Sequence, residues 1–266
     1  MASKPWVVSD ELWSRVEPLL PRVERRFRYP GRKRLDDRAA LQGILFVLYT
    51  GIAWRHLPLE LGFGSGSTCY RRLDEWQQAG LWERLHALLL AELQAAGELE
   101  WSRAVADSSH VQAKKGAPRR ARARLIEPET VPSTISSSTR RGSRSPGALR
   151  AAVTQLIPLV DAVPPVRGCV GRPRRRPERV TADRGYDYPA YRRELRSRGI
   201  TAEIAHRKTE HGSGLGRARW VVERTFAWLH KLKRLLVRYD RRHEIHEAFL
   251  ALACCLVCFR RLQKSL

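Results

Sequence analysis

The hydrophobic period of this chain changes near residue 100, and that change constrains its fold more than any other feature. Up to residue 100, apolar residues recur at helical spacing. Ser9, Asp10 and Glu11 open a helix with Leu12, Trp13, Val16, Leu19 and Leu20 on one face, and Pro21 closes it. After the basic loop RVERRFRYPGRKR, Asp36 or Asp37 caps an apolar helix over 41–49, which breaks at Gly51 and Pro58. GFGSGS predicts a flexible turn, Ser67 or Thr68 caps the next helix, and a further amphipathic helix covers 82–93. Beyond residue 100, short strand candidates (101–106, 180–182 and ITAEIAHR) alternate with helices over 153–163, 189–198, 217–236 and 245–262. The pattern predicts an α+β or α/β chain in two parts: a helical domain over 6–97, then a mixed domain over 101–262.

Charge points to the partner. Lys and Arg number 50 against 27 Asp and Glu, a net charge of +23, while 43% hydrophobic residues provide for a sizeable core. Such an excess favours a polyanion, because each phosphate contact releases condensed counterions. Nucleic acid is the expected partner; an arginine-rich codon bias would contribute to the same count. Arg71 and Arg72 lie near the start of a short capped helix. In a helix-turn-helix the second helix carries such residues into the major groove, and the alternative is a helical bundle with solvated arginines. The loop RPRRRPER (172–179) either tracks a DNA backbone towards Asp183 or is a solvated loop. The five cysteines have no disulfide-like or zinc-like spacing and read as small core residues in a reducing compartment. The N-terminus MASKPWVVSDELW has no apolar signal core, and the longest apolar run, 249–259, is too short for a membrane span. A soluble, cytoplasmic protein with no membrane partner is expected.

Three acidic residues stand out. Asp107 closes AVAD and Asp183 closes VTAD, each at the end of a strand candidate, and Glu223 sits in the apolar helix sequence VVERTFAWL. Carboxylates brought together repel one another, and divalent cations relieve that conflict. Mg²⁺ takes a few carboxylates together with water and phosphate oxygens, and a pair of ions can hold both the attacking and leaving oxygens of a phosphoryl transfer. Each acid has a plainer reading: an aspartate after a strand often caps a turn, and Glu223 could pair with Arg219 or Arg224 on its own helix.

The motifs ADRGYD and HGSGLGRARWVVERTFAWLHKLKRLLVRYDRR, with VSDELWSRVEPLLP, GRKRLDDRAALQGILFVLYTGIAWRHLP and AVADSSHVQAKKG before them, resemble the DDE-type insertion-sequence transposases of the IS-five group. The resemblance covers about residues 6–116 and 151–262. It implies a ribonuclease H-like catalytic domain behind a small helical DNA-binding domain. It also implies Mg²⁺-dependent cutting at terminal inverted repeats and strand transfer into target DNA, with Mn²⁺ able to substitute. The partners implied are double-stranded DNA and, on paired ends, a second copy of the chain; the setting implied is the bacterial nucleoid. The family's acids map onto Asp107, Asp183 and Glu223, the last two separated by 40 residues. Arg219 fills the family's arginine place four residues before Glu223. Gly216 stands where the family has tyrosine, and His230, with Lys231 beside it, where it has lysine. Arg219, Arg224 and Lys231 are the expected DNA contacts near the metal.

Residues 117–150 depart from the family. They are rich in Arg, Ser and Pro, hold no aromatic residue and lack the alternation that strands need. Freely chosen codons for 122–138, read in another frame, can spell a family-like KHHL stretch. The segment is therefore expected to be irregular, either translated out of frame or a lineage-specific linker, with the sheet lacking two central strands. A catalytically dead DNA-binding derivative, a non-functional remnant and a general ribonuclease H-type nuclease are the alternative readings.

Overall fold

The structure, a computed structural model, describes residues 4–24, 27–28, 33–110, 112–113, 121–126, 137–138, 156–182, 184–206, 228–229 and 231–265. The N-terminal part forms helices where its apolar period demands them. In α1 (Asp10–Val16) the Ser9 hydroxyl accepts the Leu12 N–H, acidic Asp10 and Glu11 occupy the positive end of the helix, and Leu12 and Val16 turn inward. Asp36 caps α2 (Asp37–Thr50), accepting the Ala39 N–H at 2.8 Å. Helix α3 (Gly66–Gln78) is capped by Ser65, two or three residues earlier than the sequence predicts. The reason is packing: a Cβ on Gly66 would stand 1.8 Å from the Trp54 carbonyl oxygen, so the helix starts where only glycine lets it meet that backbone. Residues expected as a flexible turn thus belong to the helix. The α2–α3 connection holds two 3₁₀ turns (Trp54–His56, Leu59–Leu61) and runs from 51 to 65, far longer than the roughly 3–4-residue turn of a helix-turn-helix. Helix α4 (Leu81–Ala95) buries Leu81, Trp82, Leu85, Leu89 and Leu93 along one stripe.

After residue 100 the chain builds a mixed sheet. Its strands are β1 (Ala104–His110), β3 (Ala121–Ile126), β4 (Ser137–Ser138), β5 (Arg179–Ala182) and β6 (Thr201–Ile204), in the order β4-β3-β1-β5-β6. A separate pair joins β2 (Gln112–Ala113) to β7 (Val237–Arg238). Strand β1 runs parallel to β5, with Ala104 opposite Val180 and Ala106 opposite Ala182, and β5 runs parallel to β6. On its other side β1 is antiparallel to β3, which is antiparallel to β4. Strands therefore occur where the sequence reading expected none: the residues described within 117–150 include β3, paired with Val105–His110 of β1, and the two-residue β4. Helices α5 (Leu156–Asp161) and α6 (Pro189–Ser197) pack on β3 and β6 respectively and on each other.

The C-terminal segment returns to the N-terminal helices. Of the expected helix over 217–236, residues 217–227 and 230 lie outside the described residues; at Leu232 the backbone is extended (φ −88°, ψ 93°), just before the short α7 (Lys233–Leu236). Helix α8 (His243–Ser265) packs on α3 and α4, although its sequence position assigns it to the second domain. The Phe249 ring stacks on Trp54 with centroids 5.6 Å apart, and the Cys255 thiol faces the Trp82 carbonyl at 3.5 Å. Arg242 grips Asp74 of α3 with two hydrogen bonds of 2.7 and 2.8 Å. Cys254, Cys255 and Cys258 are buried in this seam, as small core residues should be. Among the described residues no helix is long and apolar enough to cross a membrane.

Candidate functional site

The β1–β5 ladder ends at Ala106 opposite Ala182, and the next residue on each strand is an aspartate. Asp107 is not at the end of its strand, however. β1 continues to His110, so Asp107 is the fourth of seven strand residues and stands opposite Arg124 of β3. The short apolar stretch 104–106 misled the sequence reading, because β1 extends through polar residues that pair only with β3. Asp183 follows Ala182 directly and lies outside the described residues, as do Glu223, Arg219 and Arg224. Lys231 is exposed at the turn that precedes α7. No group of three or more His, Cys, Asp or Glu that could hold a metal occurs among the described residues.

The chain on both sides of Asp183 is held in place. Before it, Thr181 is buried and its hydroxyl donates to Glu203 of β6 at 2.9 Å. Glu203 also draws Arg179 to 3.3 Å and Arg103 to 3.4 Å, so one carboxylate ties β5, β6 and the approach to β1 together. After it, a 3₁₀ turn (Arg184–Tyr186) buries Tyr186, and Asp187 accepts two hydrogen bonds from Arg192 at 2.8 and 3.0 Å. Arg192 also donates to the Ile204 carbonyl at 2.7 Å, which fastens the exit of β5 to the exit of β6. Neither Glu203 nor the Asp187–Arg192 pair was found from sequence. The available sign was local: an acid just ahead of a helix whose first residue is Pro189, with an arginine in its first turn.

The two arginines expected to read DNA have different fates. Arg71 is exposed, with its guanidinium against the Ser67 carbonyl of its own helix. Arg72 is 4% exposed, donates to the Leu35 carbonyl at 3.1 Å and stands 3.0 Å from the Asp37 carboxylate. It fastens α3 to the start of α2 and turns no face to a phosphate, which corrects the sequence reading. Burial pushes the Asp37 carboxyl above its ordinary value, opposed by the Arg34 guanidinium.

The basic loop is also placed otherwise than expected. It leads into the N-terminal end of β5, whereas Asp183 follows the C-terminal end, four strand residues away, or about 13 Å at the rise of an extended chain. Its base is pinned on α4: a Cβ on Gly168 would stand 2.1 Å from the Ala91 carbonyl oxygen, and Cys169 meets Gln94.

Comparison with known proteins adds the family dimension. Residues 8–86 match a family described as "Putative transposase of IS4/5 family", and residues 147–258 match "Transposase DDE domain". These two matches leave 87–146 between them, a stretch that includes most of the departing segment. A Burkholderia cepacia protein named "Putative transposase for insertion sequence element IS402" is 60% identical over 113 residues, which is 42% of this chain and 54% of that protein. Another from the same organism, "Insertion element IS402 uncharacterized 16.2 kDa protein", is 52% identical over 145 residues, 54% of this chain and 98% of that protein. The chain therefore spans about half the length of the first relative and nearly all of the second. Among solved structures, a simian T-cell lymphotropic virus intasome in complex with PP2A regulatory subunit B56 gamma aligns over 57% of this chain and 48% of its own. Its 13% identity and TM-score of 0.32 are too low to carry an argument.

Proposed function

The chain belongs to the IS4/IS5 family of DDE-domain transposases, and from that membership we propose that it cuts DNA at the ends of an insertion sequence and joins them to target DNA. The observation that carries this reading is the parallel register of Ala106 and Ala182, each followed by an aspartate. Covalent connection keeps Asp183 within about 3.8 Å, Cα to Cα, of a residue that is itself paired with β1. Asp107 lies within β1 just past the β1–β5 ladder and Asp183 follows the end of β5; carboxylates are hard oxygen donors, which suit a small divalent cation. Asp107 and Asp183 would hold Mg²⁺ or Mn²⁺ with Glu223 as third ligand. The metal supplies Lewis-acid activation of a phosphate oxygen and of the attacking water or 3′-hydroxyl. The chain's own part is to hold these carboxylates still: Thr181, Glu203 and Arg179 brace the approach to Asp183, and Asp187 and Arg192 brace its exit.

Arg71, Arg219, Arg224 and Lys231 are the proposed phosphate contacts; Arg72 is not among them. The helical part over 6–97 reads the terminal repeat, the part over 101–262 carries the chemistry, and two copies act on paired ends. Mn²⁺ titration of the full chain followed by electron paramagnetic resonance tests the site. Asp107→Asn, Asp183→Asn and Glu223→Gln should each weaken Mn²⁺ binding at least tenfold while leaving duplex binding intact. Equal Mn²⁺ binding by all four proteins would reject the site. Duplex binding with no bound metal would leave a DNA-binding derivative of a transposase.

A further inference from the structure

We propose that the arginine loop over 163–178 is a second DNA-backbone contact, at the opposite end of the strands from Asp107 and Asp183. The inference rests on the DNA-processing reading above and deepens it. The loop sequence VPPVRGCVGRPRRRPE holds five arginines and one acid, Glu178. Arg167, Arg172, Arg174, Arg175 and Arg176 are all exposed, and among the described residues the first four enter no ion pair. Several arginines elsewhere in the molecule are paired instead. Arg198 is held by Asp161 and Glu194, Arg242 by Asp74, Arg15 by Glu92 and Arg261 by Glu98.

The loop is also built to keep its shape. Val166 and Arg174 exchange backbone hydrogen bonds of 2.8 and 3.1 Å, closing a hairpin-like bridge. Gly168, at φ +116°, seats the loop against the Ala91 carbonyl, where any side chain would collide. The Arg176 guanidinium donates to the Arg198 carbonyl at 3.3 Å, and the Glu178 N–H to the Trp101 carbonyl at 2.8 Å. Pro173 and Pro177 fix two further φ angles. A merely solvated loop needs no such anchoring. One that presents several unpaired guanidiniums on a fixed frame loses little entropy when phosphates take them up. Because the loop is attached one β5 length, about 13 Å, from the acidic end, it is suited to duplex flanking the reacting phosphate rather than to that phosphate itself. Such contacts are sequence-independent and release counterions.

The test is the salt dependence of duplex binding by the full chain, read by fluorescence anisotropy on a terminal-repeat duplex and on a scrambled one. The triple variant Arg172→Ala, Arg174→Ala, Arg175→Ala should lower the slope of log affinity against log salt by about 3, since each phosphate contact contributes about 0.9. The loss of affinity should be the same factor on both duplexes, and the matching Arg→Lys triple should keep the parent's slope. If the alanine triple melts below the parent, the double variant Arg172→Gln, Arg175→Gln is read the same way, with an expected fall of about 2. A parent slope retained by the neutral variants, in a chain that binds DNA, overturns the loop proposal alone. A parent chain that binds neither duplex overturns the DNA reading and this inference with it.

Discussion

Arg71 and Arg72 are neighbours in opposite settings, one exposed and one buried, which composition cannot reveal. Arg72 donates to a backbone carbonyl and meets Asp37 in a buried setting. Arg72→Ala should therefore lower stability by about 2–3 kcal/mol, the scale of a buried charged group left without its partner. Arg71→Ala, on the exposed face, should change stability by less than about 0.5 kcal/mol and weaken duplex binding instead. Denaturant melts and anisotropy on the two variants separate the roles; equal destabilisation by both would refute the assignment. The cysteines make a second contrast. Burial raises the Cys69 thiol to about 11 and holds the Cys255 thiol well above its ordinary value, whereas Cys169 is exposed. Iodoacetamide at pH 8 should modify Cys169 rapidly and the other four only on unfolding, as counted by mass spectrometry. That Cys254, Cys255 and Cys258 are core residues was legible from LACCLVCF; that Arg72 is buried was not, because Leu35 and Asp37, which hold it, lie more than thirty residues away.

Elements with a clear period were legible, and those defined by long-range pairing were not. Helices α1, α2, α4 and α8 fall where apolar spacing and caps place them. β3 carries no strand pattern in ARARLI, and its partner is β1 rather than a neighbour in sequence. The start of α3 was misjudged because the deciding contact, Gly66 against Trp54, is tertiary. Gly66→Ala should cost about 2–3 kcal/mol, since the obstructing atom is backbone and cannot swing aside; a thermal melt unchanged from the parent would show that α3 does not sit as described. Helices α5 and α6 are joined by Asp161 and Arg198 at 2.7 and 2.8 Å. Hydrogen bonding from Arg198 lowers the Asp161 pKa, so the pair stabilises the fold above the carboxylate's unfolded value near 3.9 and loses that contribution as pH falls through the lower folded value. Because Asp161 is 44% exposed, the effect is small, about 0.5 kcal/mol. Asp161→Asn should lower the melting temperature by about 1–2 °C at pH 7 and leave it unchanged near pH 2.

At the scale of the whole molecule, one core runs through both parts of the chain: Leu41, Trp82, Val180 and Phe249 belong to the same buried cluster. Linear order suggested two domains meeting near residue 100, but α8 completes the helical one from the far end of the sequence. A fragment over 6–97 should therefore melt without cooperativity, and regain a sharp transition when residues 243–265 are supplied as a peptide; a cooperative melt by the fragment alone would show that α8 is dispensable. The three acids stand out in the sequence; in the sheet Asp107 lies within β1, beside the parallel β5 whose last residue, Ala182, precedes Asp183, while Asp183 and Glu223 lie outside the described residues. The most direct measurement is Mg²⁺- or Mn²⁺-dependent cleavage of a duplex carrying the element's terminal repeat by this chain and by Asp183→Asn. Metal-dependent cutting that the substitution abolishes is the predicted result, whereas cutting that survives in Asp183→Asn, or none by either protein although both bind the repeat, would contradict the account.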